Sequence, residues 1–377
     1  TRLEYCSVRP RVAMSVRPTA ARRLDAVVRA LSSGSSTDGG RGRAAEPLGV
    51  AFIGAGDIST LHIQGVTKCD GARFVGLWSR PDCPIVPDPA AKAAEYGGKL
   101  YGSVEELCAD PAVGAVFVLT NFETHLAYAK LAMDHAKHVL VEKPVAVSVA
   151  EMEELQRHAA LRGVQCMPVH NYIYEPHLWR TREMIENGTL GTVHCIYVMY
   201  NIFHPEDICA RLPGIVRQIG THHAYTVLYL LGDDPPREVS AFRSTLRDVS
   251  TGIADDRENL ATITFTTRSG AIVHLQFNFA SDDHSSDAWS FYVKVIGSKG
   301  ATRYSYNDWV QNAKTLVHSH TYEPYPHTII AADEHFVNRV VARGEQPLSS
   351  LDDAITAQKL LNAAERSWTE HRHITLE

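Results

Sequence analysis

The stretch from Leu48 to His62 constrains this chain more than any other. Its first half, Leu48-Gly49-Val50-Ala51-Phe52-Ile53, is a near-continuous apolar run, the signature of a strand buried on both faces of a parallel sheet. The run breaks at Gly54-Ala55-Gly56 and continues with helical periodicity from Asp57 and Ile58 onward. Strand, tight turn and helix in that order open a dinucleotide-binding fold. The first glycine makes the turn, the second lets backbone approach a pyrophosphate, and a third small residue lets helix pack on strand. Gly54, Gly56 and Ser59 take those places. The free N–H groups at the helix start would receive the phosphates.

The alternation continues downstream. Apolar runs at 72–78, 115–120, 138–141 and 164–169 predict strands, and the segments at 59–68, 90–96, 104–108, 124–135, 151–161 and 176–187 predict helices. Strands and helices in alternation make a doubly wound parallel sheet. Ligands of such sheets bind beyond the carboxyl ends of the strands. Gly54, Ser79, Thr120 and the tripeptide Glu142-Lys143-Pro144 stand at those ends, so one crevice should gather them. The second strand runs into Ser79-Arg80 with no carboxylate before Asp82. An acidic residue there suits the ribose hydroxyl of NAD and an arginine suits the 2′-phosphate of NADP. The cofactor expected is therefore NADP or NAD, with NADP favoured.

Beyond 188 the period changes to two, at 193–203, 237–246, 260–267, 271–280, 289–296 and 301–306, with hairpin turns at 268–270 and 298–300. Helices are predicted at 222–231, 331–342 and 351–369, the last opened by Ser350 with Asp353 three residues on, a capping-box pattern. The fold class is α/β: an N-terminal Rossmann domain over 48–169, then an α/β domain over 170–377 with a large open, mostly antiparallel sheet. Residues 1–47 hold nine arginines, no lysine and a Ser/Gly tract. They read as a disordered leader rather than an organelle transit peptide. A net charge of -6 argues against a nucleic-acid partner, and no apolar run reaches membrane-spanning length. Seven scattered cysteines without a Cys-x-x-Cys pair suit a reduced, cytoplasmic protein, and no metal-ligand spacing occurs.

Two residues carry the candidate chemistry. Lys143, at a strand end, can lose its proton more readily once desolvated near a cationic ring, and so can polarise or deprotonate an alcohol. His222 is the natural acid/base near neutrality, with His223 as a possible substitute; Gly220 just before it allows a ligand close. In carbonyl reduction His222 would donate the proton while Lys143 polarises the oxygen. The turn at Asn171-Tyr172-Ile173-Tyr174, with His177 and Arg180, is expected to line the substrate side.

Taken together, Gly54-Ala55-Gly56-Asp57-Ile58-Ser59 with His62, Thr120 with His125, Glu142-Lys143-Pro144, Asn171-Tyr172, Gly188-Thr189-Leu190-Gly191, Gly220-Thr221-His222 and the ending 347–368 resemble the Gfo/Idh/MocA family of NAD(P)-dependent oxidoreductases. The resemblance implies hydride transfer between NAD(P) and a hydroxyl or carbonyl of a sugar, cyclitol or nucleotide-sugar. It implies cofactor contacts from Gly54, Gly56, Asp57, Ile58, Ser79, Arg80, Thr120, Asn121, His125, Glu142 and Lys143. It implies substrate contacts from Asn171, Tyr172, Gln218, His222, His223 and Tyr225, and a homodimer or homotetramer formed through the second sheet. Gln218 stands where dehydrogenating members carry Asp, Tyr225 stands at a second acidic position, and Asn121 replaces a usual proline. Gln218 can orient a hydroxyl but cannot take its proton. Two other readings stay open: a lyase or glycosidase that oxidises transiently with no net redox, and a cofactor-holding protein without turnover.

Overall fold

The computed structural model describes residues 46–81, 83, 86–202, 212–245, 258–279, 289–305 and 324–376. The expected leader lies outside these residues except for its last two, as do the strand ends expected at 203, 246, 280 and 306.

The first sheet is wholly parallel. It comprises β1 (Leu48–Ile53), β2 (Ala72–Trp78), β3 (Lys99–Leu100), β4 (Ala115–Val118), β5 (His138–Val141) and β6 (Cys166–Pro168), ordered β3-β2-β1-β4-β5-β6. Strands β1, β4 and β5 are buried almost throughout, which accounts for their unbroken apolar runs. The strand order reverses between β1 and β4, and a crevice opens there at the carboxyl ends. Six helices belong to this half or follow it directly: α1 (Asp57–Lys68), α2 (Pro89–Glu95), α3 (Val104–Ala109), α4 (His125–Asp134), α5 (Val149–Arg162) and α6 (Pro176–Glu186). The sequence reading missed β3, because two residues are too few to show a period. Asn171–Tyr174 forms a separate single turn ahead of α6.

The second sheet holds β7 (Val193–Ile202), β8 (Pro236–Ser244), β9 (Leu260–Thr267), β10 (Ile272–Asn278), β11 (Trp289–Gly297), β12 (Gly300–Ser305) and β13 (Ile374–Thr375), ordered β12-β11-β7-β10-β9-β8-β13. Its pairs are antiparallel except β7 with β10. Burial alternates residue by residue, as along β9, where Ala261, Ile263, Phe265 and Thr267 point inward. That alternation is the physical origin of the period of two. Helices α7 (Thr221–Leu231) and α9 (Leu351–Glu370) cover the inner face. Ser350 caps α9 by accepting the Asp353 N–H at 3.1 Å.

Helix α8 (Pro324–His335) and the loosely wound turn Phe336–Val341 after it leave the second sheet and return to the first. Ile329, Phe336, Val337 and Val340 join Val50, Phe52, Ile63, Val66 and Phe74 in one core. Phe117 stacks on Phe52 at 5.1 Å between ring centres and meets the Phe336 ring edge-on at 5.7 Å.

Candidate active site

The crevice has two ends. The first is built mostly of backbone. Gly54 follows β1 at φ +113°, where a side chain is strained, and a Cβ there would lie 2.8 Å from the Leu119 carbonyl oxygen. Helix α1 starts at Gly56 with no side-chain cap, which leaves its first N–H groups open to an anion. Ser59 donates its hydroxyl to the Gly56 carbonyl at 2.7 Å. Trp78, Ser79, Arg80, Thr120, Asn121 and Tyr128 complete the walls of this cleft. A glycine turn that tolerates no side chain, an uncapped helix start and an arginine on the rim fit a pyrophosphate-bearing dinucleotide. Asp57 is exposed and Ile58 half-buried at the helix start. His125 lies behind this surface: its ring is fully buried, with Nε2 2.8 Å from the Thr120 carbonyl oxygen and Nδ1 3.3 Å from that of Val145. A neutral ring has one N–H to give, and burial pushes its pKa down. His125 therefore fills the space between the loops after β4 and β5 and donates to one of the two carbonyls.

Lys92 of α2 was not foreseen. Its ammonium donates to the carbonyls of Ala55 (2.9 Å) and Gly56 (3.2 Å), which fastens the glycine turn from below. The only hint in the sequence is a lone cation in an alanine-rich helix.

The second end is built of side chains. Glu142 and Lys143 follow β5. Glu142 is buried, and its Oε2 accepts the Lys143 backbone N–H at 2.8 Å. The Lys143 ammonium donates to the main-chain carbonyl of Gln218 at 3.2 Å. Gln218 lies in a turn wound more widely than an α-helix, Val216–Gly220, which runs straight into α7. The backbone of Gln218 thus meets the lysine, in addition to whatever its amide does. His222 and His223 are both buried on α7, and Tyr172 sits between them with ring centres 5.0 Å from each. Tyr172 donates its hydroxyl to that of Tyr200 on the inner face of the second sheet, at 3.1 Å. Asn171 is buried and donates to the Thr328 hydroxyl at 2.7 Å, while its Oδ1 has no partner.

His170 is a second residue that sequence reasoning missed. It stands at the end of β6, as the other site residues stand at theirs, so the carboxyl-end rule would have found it. Its ring stacks on Tyr225 at 4.0 Å. Tyr225 reaches the site only through that ring face, since its hydroxyl accepts the Ser350 N–H at 2.7 Å in the cap of α9. His177 and Arg180, expected on the substrate side, are exposed instead. The reason is helix phase: α6 turns Leu178, Thr181 and Arg182 inward. Arg180 pairs with Glu183 on the outside, and His177 stacks on Tyr304.

Electrostatics single out the lysine. Burial lowers the Lys143 pKa, with Glu142 opposing. Burial, and then the nearby Lys143 charge, push His170 and His223 down to about 3, and hold His222 well below the usual imidazole range with added contributions from His223 and His170. Neither nitrogen of His170 or His223 has a hydrogen-bond partner, nor has Nδ1 of His222. Burial thus favours the neutral form of the Lys143 amine and of the three nearby imidazoles. Each imidazole can donate one hydrogen bond and accept one, as a hydroxyl-rich ligand would require. Among the described residues no group of three His, Cys, Asp or Glu is placed to hold a metal ion, and no helix is long and apolar enough to cross a membrane.

Residues 48–170 match the Gfo/Idh/MocA oxidoreductase family, NAD-binding Rossmann fold, and residues 178–303 match the Gfo/Idh/MocA C-terminal domain. The chain is 25% identical over 346 residues to the myo-inositol 2-dehydrogenase of Thermotoga maritima, covering 87% of this chain and 98% of that one. Solved structures share the fold, among them two with bound cofactor. GenD2 from gentamicin A biosynthesis, in complex with NAD, does so at a TM-score of 0.77 and 22% identity, over 91% of this chain and 100% of that one. The Lactobacillus casei scyllo-inositol dehydrogenase with bound NAD(H) and scyllo-inositol does so at 0.72 and 14%, over 88% and 99%. With a glycine turn shaped for a dinucleotide, a lysine at the end of β5 and both family regions present in order, this chain belongs to the Gfo/Idh/MocA family of NAD(P)-dependent oxidoreductases.

Proposed function

We propose that this protein interconverts a secondary hydroxyl and a carbonyl on a cyclitol or sugar, with Lys143 as the group that moves the proton. The observation that carries this reading is the Lys143 amine held on the Gln218 carbonyl at the end of β5, with His170, His222 and His223 near it and burial lowering its pKa. A nicotinamide dinucleotide held by the Gly54–Gly56 turn and the start of α1 would supply the hydride acceptor or donor. In oxidation the neutral Lys143 amine accepts the hydroxyl proton, and in reduction its ammonium returns one to the carbonyl oxygen. For reduction this differs from the expected division, in which His222 donates and Lys143 polarises; burial and the Lys143 charge push His222 toward its neutral form. His222 and His223 orient substrate hydroxyls as neutral hydrogen-bonding groups, and His170, Asn171 and Tyr172 close the pocket around them. The names of the Thermotoga and Lactobacillus relatives support a cyclitol as the first substrate to try. Ser79 and Arg80 on the cleft wall support NADP over NAD. Exposed Tyr197, Phe242 and Ile272 on the outer face of the second sheet support self-association there.

The deciding measurement is the appearance of reduced nicotinamide when NAD⁺ or NADP⁺ is mixed with the protein and a panel of inositols and free sugars. Turnover on at least one polyol is expected. Tight cofactor binding with no turnover on any polyol, and no carbonyl reduction in reverse, would remove the reading.

A further inference from the structure

A buried relay of charge leads from the C-terminal half of the chain to the reacting lysine. His62 on α1 is fully buried. Its Nδ1 lies 2.8 Å from Asp333 Oδ1 on α8, and its Nε2 lies 3.3 Å from Glu142 Oε1. The other Glu142 oxygen accepts the Lys143 N–H. Three segments far apart in sequence therefore meet at one imidazole. Carboxylates at both ring nitrogens favour the imidazolium, the only form in which both nitrogens donate. Burial alone would strip that proton; Asp333 and then Glu142 outweigh it and hold the His62 pKa at about 10. Burial lifts Asp333 to about 6, with His62 opposing. The geometry therefore sets an imidazolium between Asp333 and Glu142, with Glu142 in turn against Lys143.

The close approach is built into the helices. A Cβ on Gly65 of α1 would come within 2.2 Å of Asp333 Oδ2. Other titratable groups face the relay. Lys143 faces His170, His222 and His223 besides Glu142. Glu142 also faces His125 and Tyr325, and Asp333 also faces Cys69 and Tyr174. Burial disfavours the charged form of all four of these outer groups, so the relay itself supplies the charge.

We propose that His62 and Asp333 are positioning residues for Lys143: through Glu142, the Asp333 carboxylate and the His62 ring set both the place and the proton affinity of the lysine amine. The proposal rests on Lys143 being the proton-transfer group, but it can be read without substrate. The test is competitive acetylation with trace acetic anhydride across a pH series, with the Lys143 peptide quantified by mass spectrometry in the full-length protein. Asp333→Asn keeps the shape and removes one negative charge. It should shift the pH at which Lys143 becomes reactive, because the His62 proton that Asp333 helps to hold sits on the far side of Glu142 from the lysine. Gly65→Ala should displace the carboxylate and move the midpoint in the same direction by less, while the helix keeps its propensity. If Asp333 serves packing alone, thermal stability falls and the midpoint stays at the wild-type value, and that result overturns the proposal. Should Asp333→Asn fail to fold, an unmoved midpoint in folded Gly65→Ala overturns it instead. A failure of the proposed reaction would show separately, as retained turnover in Lys143→Ala, and would leave the acetylation midpoints as they are.

Discussion

The two ends of the crevice are made from different materials. At the glycine turn, recognition depends on backbone: a left-handed Gly54, an uncapped helix and carbonyls fastened by Lys92. At Lys143, recognition depends on side chains whose charge is set by burial and by one another. A backbone site tolerates changes in charge and fails when a Cβ intrudes. A buried side-chain site tolerates small changes in shape and fails when a proton moves.

The largest effect should come from Lys143→Ala. Loss of a general acid or base typically costs about 10²–10⁴-fold in rate, so kcat should fall by that order while cofactor affinity, measured by calorimetry, changes little. The wild-type profile carries a sign that sharpens the point. Oxidation needs the neutral amine, so its rate should climb with pH and level off below the ordinary lysine range, because burial lowers the Lys143 pKa. Reduction needs the ammonium and should fall over the same interval. A limb at the ordinary lysine value would assign the titration to another group.

Gly54→Val should act in the opposite sense. Backbone strain of about 1–3 kcal/mol, added to the clash with Leu119, should weaken NAD(P) binding by roughly 10- to 100-fold. The environment of Lys143 should be preserved, as its acetylation profile would report. Equal cofactor affinity in wild type and variant would dissolve the contrast between the two ends. The smallest effect should come from the rim. Arg80 is exposed, and an exposed ion pair contributes about 0.2–1 kcal/mol. Arg80→Ala should therefore cost about two- to fivefold in NADP affinity and leave NAD affinity alone, measured by titration with each cofactor.

The backbone end was legible in the sequence because backbone constraints are local. Gly54, Gly56 and Ser59 lie within six residues, and the strand before them announces itself by its apolar run. The period of two exposed β9 and β10 for the same reason. The lysine end was legible in its members but not in their states. Lys143, His222 and His223 could be named, yet their proton affinities depend on burial and on contacts from β6, α7 and the turn at Gln218. Lys92 and Asp333 were missed because each acts across a tertiary contact, and neither a single cation in α2 nor the adjacent Asp333-Glu334 pair in α8 carries a pattern that singles it out. The helical phase that turns Arg180 outward could have been read from Leu178 and Thr181, whose apolar and small side chains mark the inner face.

The return of α8 has a consequence for how the molecule is made. Ile329, Phe336, Val337 and Val340 form one wall of the core that contains Val50 and Phe52. Strands β1 to β6 can assemble as soon as they are synthesised, but the layer over α1 arrives only after six strands of the second sheet, β7 to β12, have been translated. Until then the apolar flank of α1 lies bare, and His62 has no Asp333 to hold its charge. The nucleotide-binding half, first in sequence, is thus completed only late in synthesis. A cut after residue 170 would separate that half from a wall of its own interior.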